Sequence, residues 1–131
     1  MKLPKSFVDE MAAHAVQDSP NECCGIIAGK DGRAIKLYRA KNSEASPYRY
    51  NVDSSDLFRV DREIDANEWS YLAIYHSHTA SEAYPSPTDI RLARYNPNPF
   101  YIIVSLKGQE PVVRAFRIED GVVTEDPIET A

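Results

Sequence analysis

The chain has 131 residues, of which 43% are hydrophobic and 27% charged, a size and composition that suit one domain with its own core. Its 15 basic and 20 acidic residues give a net charge of −5. That balance, without a run of Lys or Arg, argues against nucleic-acid binding, which relies on clustered cations. No apolar run approaches the roughly 20 residues of a membrane span, and the first residues lack a secretory signal. We therefore expect a cytoplasmic protein that contacts neither nucleic acid nor membrane.

The two cysteines are neighbours in the chain, Cys23 and Cys24. Adjacent cysteines do not easily reach disulfide geometry, and a reduced pair fits a cytoplasmic protein. A structural zinc site would also need a separated second pair of ligands. We interpret Cys24 as a small buried residue and not as a metal ligand.

The first third of the chain predicts a helix followed by a hairpin. Apolar residues recur at helical spacing over 7–16. Ser6 is the predicted N-cap of this helix, with Asp9 completing a short capping box. Residues 24–29 form a small-residue apolar run typical of a strand, and a turn leads from it into an alternating strand over 33–38.

The middle of the chain predicts a loop, a helix and a strand. Residues 41–51 are rich in Asn, Ser and Pro and predict an irregular loop. A second helix is expected over 54–67, where apolar residues again follow helical spacing. A short buried strand over 71–75 runs directly into His76, and a polar loop over 77–85 follows it.

The last part of the chain predicts a short helix and two further strands. Ser86 supplies an N-cap hydroxyl and Pro87 the first helical position, and the prolines after residue 96 end the helix. Residues 100–106 and 112–118 predict strands, with a last short strand after them. Since neither a linker nor a repeat is visible, residues 1–131 are predicted to form one α/β (α+β) domain, a mixed sheet flanked by helices.

Two of the three histidines form a candidate metal site. His76 and His78 lie two positions apart, so on a strand their side chains share one face and can reach one ion. Asp89, one turn into the predicted helix, adds a carboxylate, although a simple capping role would also explain it. Two imidazoles and one carboxylate leave a tetrahedral ion one open position, as in hydrolytic zinc sites. His14 is interpreted as a surface or hydrogen-bonded helix residue without a catalytic role.

A hydrolytic site also needs a base that takes a proton from water and passes it to the leaving group. Glu22 is the favoured candidate because it lies immediately before the predicted strand over 24–29. Glu44 and Glu82 are the competing acids. Sequence spacing alone does not choose among these three.

The combined spacing resembles the signature of the JAMM (MPN-plus) metalloproteases. That signature has a glutamate before a small-residue strand, then His-Ser-His, seven residues, Ser, two residues and Asp, which here are Glu22, His76, His78, Ser86 and Asp89. The resemblance implies a JAMM/MPN-type domain in which His76, His78 and Asp89 bind Zn²⁺. It further implies that Glu22 is the general acid/base and that Ser86 stabilises the oxyanion.

The same resemblance implies a substrate. Family members hydrolyse the amide bond at the C-terminus of ubiquitin or ubiquitin-like proteins, whose tail pairs as an added strand beside the site. Thr79 and the run 83–86 make this sequence most similar to the bacterial CysO-cysteine peptidases. The expected substrate is therefore a CysO-like sulfur carrier with cysteine on its C-terminal glycine, and the expected product is free cysteine, a step in cysteine biosynthesis.

Three alternatives remain beside that interpretation. The chain could be a general JAMM isopeptidase that acts on other ubiquitin-like conjugates, or a non-catalytic MPN scaffold. A nucleoside deaminase-like zinc hydrolase is disfavoured because its Pro-Cys-x-x-Cys motif is missing. Domains of this family often pair, so a homodimer is possible.

Overall fold

Eight strands and three α-helices make up the computed structural model, which describes residues 1–130. The strands are β1 (Lys2–Leu3), β2 (Cys24–Lys30), β3 (Arg33–Ala40), β4 (Ser70–His78), β5 (Phe100–Ser105), β6 (Val112–Glu119), β7 (Val122–Glu125) and β8 (Glu129–Thr130). The helices are α1 (Lys5–Asp18), α2 (Ser54–Ala66) and α3 (Pro87–Leu92), the last followed by a 3₁₀ turn over Ala93–Tyr95. None of the helices in this part of the chain is long and apolar enough to cross a membrane.

The six strands β2 to β7 form one mixed sheet in the spatial order β3-β2-β4-β5-β6-β7. Strands β4 and β5 pair in parallel, and every other neighbouring pair in this sheet is antiparallel. Strands β1 and β8 form a separate two-stranded parallel sheet. The prediction of a mixed sheet flanked by helices is confirmed.

Helices cover both faces of the sheet, so the core has two halves. On one face, Met11 and Ala15 of α1 pack against the apolar side chains of β2, β4 and β5. On the other face, Val60 and Ile64 of α2 pack against β2, while Ala93 packs near Phe116 beside β5 and β6. Side chains alternate between the faces along each strand, and β4, central in the sheet, therefore contributes to both halves.

Two predicted boundaries are wrong. Helix α1 begins at Lys5 with Pro4 as its N-cap, and no side chain caps it. The main-chain N–H groups of Phe7 and Val8 already donate to the Pro4 carbonyl, so Ser6 lies inside the first turn and cannot form the predicted capping box. Strand β4 does not end near residue 75 but continues to His78.

The extension of β4 has a clear cause. Strand β5 pairs in parallel with β4 as far as Ser105, which lies opposite His78, and the Leu106 amide donates to the His78 carbonyl at 3.0 Å. The polar residues at the end of β4 therefore belong to the sheet ladder. Both histidines lie on a buried strand and not on a mobile loop.

Tyr75 packs directly over Gly25 on the α1 side of the sheet, where the two residues are register partners. A Cβ atom at position 25 would lie 2.2 Å from Cε1 of Tyr75. The ring is held in place because the Tyr75 hydroxyl and His14 Nδ1 are 2.7 Å apart, and His14 Nε2 lies 3.2 Å from Asp18. His14 is thus a buried, hydrogen-bonded helix residue, one of the two interpretations made from the sequence.

We predict that Gly25→Ala lowers the free energy of unfolding by about 2 kcal/mol or more, because the added methyl group overlaps the Tyr75 ring. Urea unfolding followed by circular dichroism measures this change. Gly108→Ala is the matched control, since a Cβ there would meet its nearest atom at 3.9 Å. Equal effects of the two substitutions would show that the ring moves aside at no cost.

Candidate metal centre

Three donor atoms converge between β4 and α3. The Nε2 atoms of His76 and His78 are 3.2 Å apart, and each lies 3.1 Å from Oδ2 of Asp89. Tetrahedral ligands that are each 2.0–2.1 Å from one ion lie about 3.3–3.4 Å from one another. Among the described residues these three form a group that could hold a metal ion, and both the donor chemistry and the spacing fit zinc.

The alternation of side chains along β4 brings the two histidines to one face. His76 and His78 point to the α2 and α3 side, whereas Ser77 points to the α1 side. There Ser77 Oγ accepts a hydrogen bond from the Cys23 amide at 2.8 Å, and the Ser77 amide donates to the Cys23 carbonyl at 3.1 Å. Ser77 therefore ties β4 to the segment that follows Glu22, and it makes no contact that would require a role in chemistry.

The two imidazoles are oriented in different ways. Nδ1 of His78 donates to the Glu82 carbonyl at 2.9 Å, so in the neutral ring the lone pair lies on Nε2 and is available to an ion. Nδ1 of His76 is buried and has no hydrogen-bond partner in the described part of the chain. The Tyr50 ring stacks on His76 with centroids 4.4 Å apart and planes at 19°, so packing holds this imidazole.

Asp89 both caps α3 and faces the histidines. Ser86 Oγ accepts from the Asp89 amide at 3.0 Å, and the Ser86 amide donates to Asp89 Oδ2 at 2.9 Å, a complete capping box. Burial alone would raise the pKa of Asp89, but the imidazoles, His76 first, and the Ser86 amide hold that pKa well below its usual range. The capping role and the ligand role considered from the sequence are thus compatible.

Glu22 faces the same cleft as His78, Ser86 and Asp89. In the antiparallel register of β2 and β4, Cys24 pairs with His76, so two residues earlier Glu22 comes opposite His78 and on the same face. Glu22 is 6% exposed. Burial, together with the charge of Asp89, raises the pKa of Glu22 to about 7 against the opposing effect of His78.

The other two candidate bases lie elsewhere. Glu44 and Glu82 are exposed, and neither lines the cleft. Glu82 contributes its main-chain carbonyl to His78 but not its carboxylate. Ser86 lines the cleft, and because its Oγ already accepts a hydrogen bond from the helix, its hydroxyl proton is available for a ligand.

Two adjoining clefts flank the three donors. The one that contains Glu22 has a volume of about 360 Å³. The other, of about 280 Å³, is lined mainly by apolar side chains from the sheet and the helices, among them Ile26, Ile74 and Leu57. Tyr50, Asp89 and Leu92 line both clefts. The two clefts therefore meet beside Asp89.

The irregular loop predicted over 41–51 is present, but no sequence signal marks the role of Tyr50 within it. Its Asn-, Ser- and Pro-rich composition indicated an irregular connection, and no local pattern showed that an aromatic ring from it would stack on His76. Stacking between residues 26 positions apart depends on the tertiary fold, which local spacing does not reveal.

Residues 4–119 match the family described as prokaryotic homologs of the JAB domain. The chain belongs to this family. Over 125 residues it is 42% identical to the CysO-cysteine peptidase of Mycobacterium tuberculosis, covering 93% of this chain and 85% of that one. It is 32% identical over 120 residues to a Thermus thermophilus protein described as a probable TtuB-protein conjugate cleaving protease, covering 91% and 76%. The solution structure of a Desulfitobacterium hafniense protein, 36% identical, superposes with a TM-score of 0.87 and covers 99% and 92%.

Because the pKa of Glu22 is raised, we predict that the folding stability of the metal-free protein falls as the pH rises. Well below pH 4.5 this carboxyl is neutral in both the folded and the unfolded chain. As the pH rises from 4.5 to about 7, the unfolded chain ionises first, so folding stability falls by up to about 3 kcal/mol. Glu22→Gln removes this effect because its amide is always neutral.

We therefore expect metal-free Glu22→Gln to gain stability over the metal-free wild type between pH 5 and pH 8. Urea unfolding in the presence of a chelator measures the difference at each pH. Glu110→Gln, at an exposed position, controls for the loss of one carboxylate charge. A difference between Glu22→Gln and the wild type that stays constant with pH would contradict the buried environment assigned to Glu22.

Proposed function

We propose that this protein is a JAMM-type zinc metallopeptidase that cleaves the amide bond after the C-terminal glycine of a ubiquitin-like sulfur carrier and releases cysteine. The observation that carries the proposal is the convergence of His76, His78 and Asp89 beside the buried Glu22. The 42% identity to a CysO-cysteine peptidase over 93% of the chain supports the choice of substrate.

His76, His78 and Asp89 would hold the ion through two imidazole nitrogens and one carboxylate oxygen, a donor set that zinc accepts with one position left open. A zinc ion bound there would polarise a substrate carbonyl and lower the pKa of a water molecule. The remaining steps belong to side chains of this chain. The three donors are each anchored by a contact outside the donor group, from Tyr50, the Glu82 carbonyl and the Ser86 amide respectively, so their arrangement is preorganised.

Glu22 is suited to move one proton. As a carboxylate it accepts a proton from the attacking water, and as a carboxylic acid it donates that proton to the leaving nitrogen while the C–N bond breaks. Burial raises the pKa of Glu22 to about 7 in the metal-free protein, and a bound cation would counter this shift, so the ionised form that accepts the proton would be favoured once the ion is present. The carbonyl oxygen gains negative charge during the attack, and the free hydroxyl proton of Ser86 would stabilise that charge.

The two clefts are consistent with a flexible tail as substrate. They meet at Tyr50, Asp89 and Leu92, so a chain that crosses the donors would occupy both. An extended C-terminal tail fits such a groove better than a folded surface would. The carrier's tail would lie on one side and the cysteine to be released on the other.

A second candidate substrate is another ubiquitin-like conjugate. The Thermus thermophilus relative, at 32% identity, is described as cleaving TtuB-protein conjugates, and such a reaction would use the same residues. A non-catalytic scaffold is disfavoured because the residues of the five-member motif are all present and lie around one site.

We predict that the zinc-loaded protein removes one cysteine from a small ubiquitin-like sulfur carrier that bears cysteine on its C-terminal glycine. Intact-mass spectrometry of the carrier should show the loss of one cysteine residue and no other change. A chelator should block the reaction, and added zinc should restore it. A carrier that stays intact while longer C-terminal extensions are cleaved would favour the second candidate.

The matched variant for this experiment is Glu22→Gln, which keeps the size of the side chain and removes the proton acceptor. We expect kcat to fall by about 10²–10⁴-fold, while zinc remains bound at one equivalent per chain. Glu82→Gln, at an exposed acid near His78, is the control and should keep its activity. Full turnover by Glu22→Gln would remove Glu22 from the mechanism.

A further inference from the structure

The segment 42–52, here called the Asn42 loop, connects β3 to α2 and closes on itself. Asn42 and Val52 form an antiparallel bridge at its two ends. Beside them, the Ser43 amide and the Ser43 hydroxyl both donate to the Asn51 carbonyl, at 2.9 and 3.1 Å. These contacts close the loop at its base. The path of the residues between its two ends depends on other contacts, inside the loop.

The side chain of Asn42 fills that interior. It is buried, and its Nδ2 donates to the main-chain carbonyls of Glu22 and Arg49, both at 3.0 Å. Its Oδ1 accepts from the amides of Glu44 and Asn51, at 3.1 and 3.0 Å. Both N–H groups and both lone pairs of this amide are therefore used, which fixes its orientation and the path of the loop.

The loop also holds the main chain of Glu22 on both sides. The Glu22 amide donates to the Ser46 carbonyl at 2.8 Å, and the Glu22 carbonyl accepts from Asn42. Glu22 precedes the first residue of β2, which is Cys24. Its main-chain hydrogen bonds therefore go to the loop and not to the sheet ladder.

The same loop contacts the candidate metal ligands. Tyr50 stacks on His76, and the Pro47 carbonyl accepts from Thr79 Oγ1 at 3.3 Å, immediately after His78. One segment thus meets the candidate base, the first histidine and the residue after the second. A change in its path would alter the position of Glu22 relative to the histidines.

We propose that Asn42 is a positioning residue for the reaction: its side-chain amide sets the path of the Asn42 loop, and the loop sets the position of the Glu22 carboxylate. The catalytic part of this inference rests on the proposed function of Glu22. Misplacement of a proton-transfer group by about 1 Å costs on the order of 10²-fold in rate. Asn42 lines neither cleft, so it can change kcat through the position of Glu22 without touching substrate itself.

Asn42→Asp tests the inference because it keeps the shape and the acceptor oxygen and removes both donors. It also brings a negative oxygen against the carbonyls of Glu22 and Arg49. We expect kcat to fall by about tenfold or more, KM to change less than kcat, and zinc to stay at one equivalent per chain. Asn67→Asp is the matched control, because Asn67 Nδ2 also donates to a main-chain carbonyl, that of Glu63 at 2.8 Å, and lies outside the Asn42 loop. In this control kcat should stay within about twofold.

A second readout does not depend on turnover. Hydrogen exchange followed by NMR should show that the Glu22 amide loses protection in Asn42→Asp, while the Ile27 amide in β2 keeps it. If the wild type cleaves no carrier, the proposed function fails, but the exchange experiment still decides whether Asn42 controls Glu22.

Should Asn42→Asp fail to fold, Ser43→Ala takes its place, because it removes one side-chain bond to Asn51 and keeps the main-chain bond. We expect a smaller loss of kcat and of Glu22 protection in the same direction. Two results would overturn the inference. One is wild-type kcat and wild-type Glu22 protection in the variant that folds; the other is a lower kcat with unchanged Glu22 protection.

Discussion

The antiparallel pairing of β2 with β4 is the constraint on which the site depends. It places Cys24 opposite His76 and thereby brings Glu22 to the face where the histidines lie. A slip of one residue would turn every side chain of β4 to the other face. Contacts on the α1 side oppose such a slip, since Tyr75 packs on Gly25 and Ser77 binds the main chain of Cys23 at two points. The packing on the α1 face of the sheet thus fixes the register that positions the candidate site on the opposite face.

The charges of the candidate site favour the binding of a cation. Asp89 and Glu22 are two carboxyl groups with little solvent around them, and their pKa values are shifted in opposite directions. Asp89 is held in its ionised form by the imidazoles and the Ser86 amide, whereas burial favours the neutral form of Glu22. Burial lowers the pKa of His78, but Asp89 and the Glu82 carbonyl more than reverse this effect. Protons and a metal ion would therefore compete for the same donors, and the fold keeps Asp89 charged while burial favours the neutral form of Glu22, as the proposed roles of ligand and proton-transfer group require.

Much of the fold and of the candidate site could be predicted from the sequence, because the signals are local or motif-like. Helical and alternating periodicity gave most elements, and Ser86 with Asp89 indicated the start of α3. The cap of α1 was mispredicted because Pro4 supplies the first acceptor and Ser6 is not needed. The length of β4 and the role of the Asn42 loop depend on partners distant in the chain, Ser105 for the strand and Glu22 for the loop. Spacing along the chain carries no information about such contacts.

The proposed mechanism requires that two imidazoles and one carboxylate, and no thiolate, bind the ion while Glu22 stays outside its coordination shell. X-ray absorption spectroscopy at the zinc edge of the loaded protein measures the ligand shell most directly. We expect nitrogen and oxygen scatterers at about 2.0–2.1 Å, with the imidazole signature of two histidines and no change in Glu22→Gln. A sulfur scatterer at about 2.3 Å, which would implicate Cys23 or Cys24, or a shell with fewer than two imidazoles, would contradict it.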